Sequence, residues 1–194
     1  MNGVRHFLLA LQFFTRIPVT GALAQWVGFS PAMLRASAGH FPGVGWIIGA
    51  VGMAVFVVAL YLLPGEAGAL AAALLCIVAT VWLTGAFHED GLADVADGLG
   101  GSRERGRALE IMKDSRIGAF GAIALVLALG LKAALLATLA GQDEVGAAAA
   151  LLAAHVLSRL APLFVIRSLP YVGGEGVGPG VDRRRVRACR PVDR

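Results

Sequence analysis

Fourteen residues, His88-Glu89-Asp90-Gly91-Leu92-Ala93-Asp94-Val95-Ala96-Asp97-Gly98-Leu99-Gly100-Gly101, gather four carboxylates and four glycines. Asp90, Asp94 and Asp97 stand at i, i+4 and i+7, so a helix places them on one face. Carboxylates packed this closely repel one another unless a cation is shared among them. Without cysteine, and with His88 less suited than the aspartates, the set favours a hard ion such as Mg²⁺, which keeps waters and bridges to substrate phosphates. The metal-binding candidates are therefore Asp90, Asp94 and Asp97. The glycines that follow end the helix and let a ligand approach the backbone. Next comes a basic stretch in which Arg103, Arg107, Lys113 and Arg116 are the candidates for holding phosphate oxygens. Carboxylates with a metal beside Arg and Lys form the arrangement expected for phosphoryl transfer. Charges beside a membrane are commonly just solvated. Acidic residues do little for topology, however, so three Asp on one face favour a site.

The elements that must carry this segment are apolar. The chain is 57% hydrophobic and 15% charged, with mean hydropathy +0.74. A soluble domain averages about 45–50% apolar and about 25% charged residues. A chain of 194 residues cannot hide its long uncharged runs in one soluble core. The fold class expected is all-α: a polytopic membrane helical bundle with an N-terminal interfacial helix over 3–19, ended by Pro18, and a cytoplasmic acidic helical segment. Spans are expected at about 41–63, 67–87, 117–140 and 145–169. Gly43, Gly45, Gly49 and Gly52 fall near one side of the first span, where small residues allow close helix approach. The turns at 64–66 and 141–144 hold no Lys or Arg, whereas 103–116 is basic. The positive-inside rule then puts the chemistry in the cytoplasm.

Lys132 and Arg159 lie inside predicted spans. A charge at mid-membrane costs about 2.5–3.5 kcal/mol on insertion scales, so each is expected to face the bundle interior. Two separated cysteines, Cys76 and Cys189, suggest neither a disulfide framework nor a zinc site. No cleavable signal peptide is read at the N-terminus. Residues 182–194 carry six Arg and two Asp, which accounts for the whole formal charge of +4, so the basic balance says little about nucleic acid. One membrane domain is read over 1–180, and 181–194 is expected to be a disordered basic tail.

Four motifs carry a resemblance: Phe13-Phe14-Thr15-Arg16-Ile17-Pro18, Phe41-Pro42-Gly43-Val44-Gly45, the acidic run 88–101, and Ile111-Met112-Lys113-Asp114-Ser115-Arg116-Ile117-Gly118. Together they resemble the cobalamin synthases, adenosylcobinamide-GDP ribazoletransferases, from about Phe7 to about Gly178. The resemblance implies a multi-pass, Mg²⁺-dependent transferase of the cell inner membrane. It would join α-ribazole, or its 5′-phosphate, to adenosylcobinamide-GDP and release GMP. Glu89 or Asp94 would accept the hydroxyl proton, and the sequence leaves open which. Family chains continue through further spans, and the abrupt change of composition at Val181 resembles a truncated or frameshifted end. Two other classes fit the sequence less well. A CDP-alcohol-type phosphotransferase also uses intramembrane aspartates, but its D-x-x-D-G-x-x-A-R spacing is not met. A membrane cation transporter would spread ionisable groups through several spans rather than cluster them.

Overall fold

A computed structural model describes residues 2–169. The basic tail lies outside the described residues. Those described form helices α1 (Asn2–Phe14), α2 (Gly21–Val27), α3 (Pro31–Ser37), α4 (Phe41–Leu62), α5 (Glu66–Thr84), α6 (Phe87–Gly101), α7 (Arg105–Ile111), α8 (Ala119–Gln142) and α9 (Glu144–Ser168), with a 3₁₀ turn over Ala38–His40 and no strand. Helices α4, α5, α8 and α9 are long and apolar enough to cross a membrane; the first such run begins at Pro31 and includes α3.

These four helices close into a ring: α4 packs on α5 and α9, α5 on α8, and α8 on α9. The shared core holds Phe56, Ala72, Ala73, Cys76, Ala133, Ala147 and Leu151. Small residues dominate it, as expected where van der Waals packing rather than water exclusion joins helices. The α4–α9 contact depends on the glycine stripe. A Cβ on Gly45 would stand 2.6 Å from the His155 carbonyl oxygen and 2.8 Å from the Val156 Cα. Cys76 is buried and free, and its thiol donates to the Ala73 carbonyl.

The N-terminal helix stops earlier than expected, at Phe14 rather than Pro18. The Thr15 hydroxyl donates back to the Leu11 carbonyl at 2.7 Å, and 15–20 runs on without helix. Leu9, Ala10, Leu11 and Phe14 are buried, so α1 is docked on the bundle through one face. The sequence did not foresee α2 and α3, because each is only seven residues long. Helix α3 has a clear local signal all the same: the Ser30 hydroxyl accepts from Met33 N, and Pro31 fills the first turn.

Helix α5 ends three residues before the expected boundary, and α6 begins after a two-residue break. Gly85 (φ 66°) and Ala86 (φ 61°) are both left-handed. For Ala86 that conformation costs roughly 1–2 kcal/mol. The loop after α1 braces the break. Arg16 N donates to the Leu83 carbonyl at 2.8 Å, and the Arg16 side chain lies so close to Gly85 that a Cβ there would meet Nε at 2.7 Å. Past the break, α6 runs antiparallel beside the first half of α8. Gly100 lies against Phe120, Asp97 against Gly118 and Gly121, and Ala86 and Asp90 share a groove with Leu125. Leu92, Val95 and Leu99 form the exposed apolar side of α6.

Candidate active site

The acidic residues do share a helix, and α7 with the segment after it folds back over them. The resulting groove, about 430 Å³, is lined by Glu89, Asp90, Asp94 and Asp97 from α6, by Lys113, Asp114, Ser115 and Arg116, and by Leu125 of α8. Residues twenty positions apart are thus brought around one space.

Within it the three aspartates have different surroundings. Asp97 is buried, and both its oxygens accept backbone N–H groups, from Gly118 at 2.7 Å and Gly121 at 2.8 Å. These are the N-cap and third residues of α8. The cap position is a glycine, so the acceptor comes from another helix, where a carboxylate also meets the positive end of the α8 dipole. Both glycines are needed for this approach, since a Cβ on Gly118 would stand 2.5 Å from Asp97 Oδ1, and one on Gly121 would clash with Oδ2. Asp90 is exposed and Asp94 half-buried. The Asp94 carboxyl is held above its ordinary range, first by burial and then by the charges of Asp90 and Asp97.

The cations also divide. Arg116 grips Asp114 with both edges of its guanidinium, Nε to Oδ1 at 3.0 Å and Nη2 to Oδ2 at 2.6 Å. This grip pulls the Asp114 carboxyl down to about 2. Lys113 is exposed at the rim. Arg103 and Arg107 are not brought into the groove lining, and Arg107 pairs with Glu110 on the outer side of α7 at 3.0 Å.

A second hollow, about 250 Å³, lies deeper, among α5, α6, α8 and α9. Thr80, Thr84, His88, Glu89, Lys132, Leu151, Ala154, His155, Ser158 and Arg159 line it. Lys132 and Arg159 both face the bundle interior, as expected; Arg159 is only 5% exposed. Lys132 is thirteen residues past Ala119, which is roughly 20 Å along α8. Glu89 lines both hollows, and its Oε2 is buried without a partner. His88 stacks on Phe14 at 5.6 Å between ring centres. Burial, then Arg159 and Lys132, lower its pKa to about 4, so it is neutral at ordinary pH. The sequence had singled out Lys132 and Arg159 but not His155 as a functional residue. Its signal was present: His155 and Arg159 stand at i, i+4 inside an apolar span.

Among the described residues, no three His, Cys, Asp or Glu side chains are grouped to hold a metal ion by themselves. Asp97 already serves two backbone donors. Asp90 and Asp94 remain, and two carboxylates fit Mg²⁺, which is commonly held by one or two plus waters and substrate phosphates.

Residues 6–190 match the family model described as Cobalamin-5-phosphate synthase. The chain belongs to that family. It is 65% identical over 171 residues to a protein of Albidiferax ferrireducens named adenosylcobinamide-GDP ribazoletransferase, covering 88% of this chain and 61% of the relative. Proteins of the same name from Polaromonas naphthalenivorans and Ralstonia pickettii are 60% and 45% identical, with 89% and 95% of this chain and 67% and 70% of theirs covered. The chain thus spans about two thirds of the length of the curated relatives it matches. No solved structure matches it.

Proposed function

We propose that this chain is the core of an adenosylcobinamide-GDP ribazoletransferase. It would join α-ribazole, or its 5′-phosphate, to adenosylcobinamide-GDP and release GMP. The carrying observation is a groove in which Glu89, Asp90 and Asp94 face Lys113 and Arg116, in a chain 65% identical to a protein of that name. A ribose hydroxyl that is free in both α-ribazole and its 5′-phosphate attacks the phosphorus that bears cobinamide. A new P–O bond forms there, and the bond to the GMP oxygen breaks. Glu89 or Asp94 takes the hydroxyl proton. Asp90 and Asp94 would hold Mg²⁺, which when bound neutralises diphosphate charge. Lys113, and Arg116 if it exchanges Asp114 for phosphate, stabilise charge on the departing GMP.

Membranes containing the chain, given adenosylcobinamide-GDP, α-ribazole and Mg²⁺, are expected to release GMP in step with cobalamin formation. Absence of GMP from well-folded protein would reject the reading. The site would face the cytoplasm from a cell inner membrane. Cysteines introduced at Glu66 and Glu104 test this: on intact spheroplasts an impermeant thiol reagent should label the first and spare the second. The reverse pattern would invert the topology.

A further inference from the structure

We infer that the deep cavity binds a phosphomonoester group through Lys132, His155 and Arg159. Arg159 is a permanent cation, buried to 5% exposure. Its Nη1 donates to Ser158 Oγ at 2.7 Å and to His155 Nδ1 at 3.1 Å. Arginine offers only donors, so His155 Nδ1 accepts and the imidazole proton sits on Nε2. That Nε2–H and the Arg159 Nε–H are both buried with no partner. Lys132 adds an ammonium to the same wall. Thr80 and Thr84 turn their hydroxyl protons back to their own helix, to the Cys76 and Thr80 carbonyls, and leave the cavity to the cations.

Unpartnered buried donors are costly, and more so when charged, so the cavity is built for an acceptor. Glu89 supplies one negative charge at the mouth, but among the described residues no ion pair joins it to Lys132 or Arg159. Two cations facing one carboxylate leave room for an anion. A volume of about 250 Å³ exceeds what a single water needs and falls below the roughly 300–1,000 Å³ that enclose whole cofactors. A phosphate-sized oxyanion fits both the size and the donors. Because Glu89 also lines the acidic groove, a nucleotide with its phosphomonoester in the cavity would reach toward the reacting diphosphate. That last step rests on the transferase reading; the binding does not.

The test uses the purified 194-residue chain in detergent without Mg²⁺ or a second substrate. Inorganic phosphate and ribose 5-phosphate at millimolar concentration should raise the thermal midpoint over sodium chloride of equal ionic strength. Lys132→Met and Lys132→Gln should each weaken the apparent affinity about tenfold or more, the worth of one charge-assisted hydrogen bond. Lys132→Arg should restore it. Phosphatidic acid in nanodiscs is the second arm. Lys132-dependent stabilisation by that lipid alone would uphold the phosphomonoester chemistry and move its source to the bilayer. No stabilisation by any of the three, or binding that ignores Lys132→Met and Lys132→Gln, overturns the inference. The assay needs no turnover, so failure of phosphate binding and failure of GMP release are read separately.

Discussion

Two charged hollows meet at Glu89, and they are built from opposite materials. The outer groove is acidic, lies between α6 and the segment after α7, and takes its residues from one stretch of 32, Ala86 to Ile117, plus Leu125. The inner cavity is cationic, takes residues from four helices, and its groups stand up to 79 positions apart, Thr80 to Arg159. A local cluster can be read as a motif, because spacing alone fixes which side chains share a face. A cavity assembled from four helices has no local spacing to read. What makes it is packing: α4 and α9 must touch along glycines before His155 and Arg159 can face Lys132.

On the proposed reading, the largest effect is expected at Asp94 in the acidic groove. Asp94→Asn keeps size and removes the charge, so GMP release should fall by roughly 10²–10⁴, the usual worth of a base. The same variant tests the sign of the electrostatics. Asp94 has a folded pKa raised above the ordinary 3.8, so folding binds a proton there. Its ionised form therefore costs stability above both values, and that cost is absent below 3.8. The thermal midpoint of Asp94→Asn should match the wild type in acid and rise above it as pH climbs through Asp94's raised pKa. Mg²⁺ should close the gap by stabilising the wild type more. Equal Mg²⁺ stabilisation with full activity would reduce the groove to a solvated face.

A stability effect comes next, and it concerns the inner cavity. Gly45 carries no chemistry, yet a methyl there meets the His155 backbone. Gly45→Ala should lower stability by about 1–3 kcal/mol, as overpacking does, and should weaken phosphate binding with it. A midpoint equal to wild type by scanning calorimetry would mean that α4 and α9 do not need their close approach.

This contrast also explains what was legible. The four spans, the glycine stripe and the acidic face could be read from charge-free runs and helical spacing, and the structure carries all three within a few residues. The exceptions have physical causes. The break at Gly85-Ala86 fell inside an apolar run, and nothing in hydropathy marks a change of backbone hand. It matters, because it turns the acidic helix to run beside α8 and brings Glu89 to the level of Lys132. The Phe-Phe-Thr-Arg motif was legible as a pattern but not as a task. Its Phe14 stacks on His88 and its Arg16 braces the break, contacts between helices that spacing within one helix cannot predict.

Asp97→Asn sharpens the comparison inside the groove itself. Asp94 and Asp97 have the same chemistry and sit three residues apart, but Asp97 spends both oxygens on Gly118 and Gly121. An amide retains one acceptor and turns a donor toward the other N–H. The expected loss is about 1–3 kcal/mol of stability, the cost of an unsatisfied buried group. Mg²⁺-dependent stabilisation should persist in the folded variant. If Asp97→Asn instead keeps its midpoint and loses its Mg²⁺ response, Asp97 holds the ion and the cap is secondary.

The smallest effect is expected at Arg107. Spacing alone made Arg103, Arg107, Lys113 and Arg116 equivalent, four cations after a carboxylate cluster. The fold separates them. Lys113 and Arg116 line the groove, whereas Arg107 turns to Glu110 on the far side of α7, where both side chains are more than half exposed. An exposed pair of this kind contributes about 0–1 kcal/mol, and salt screens it. Arg107→Ala should thus shift the midpoint little and leave GMP release near wild type, while Lys113→Met raises KM for adenosylcobinamide-GDP by loss of a phosphate contact. The two substitutions remove the same charge six residues apart, so bulk electrostatics would affect them alike. Equal losses of activity would show that the site reaches around α7 to its outer face. A loss confined to Lys113→Met would mean that position in the groove, rather than net charge of the segment, selects the residues that meet substrate.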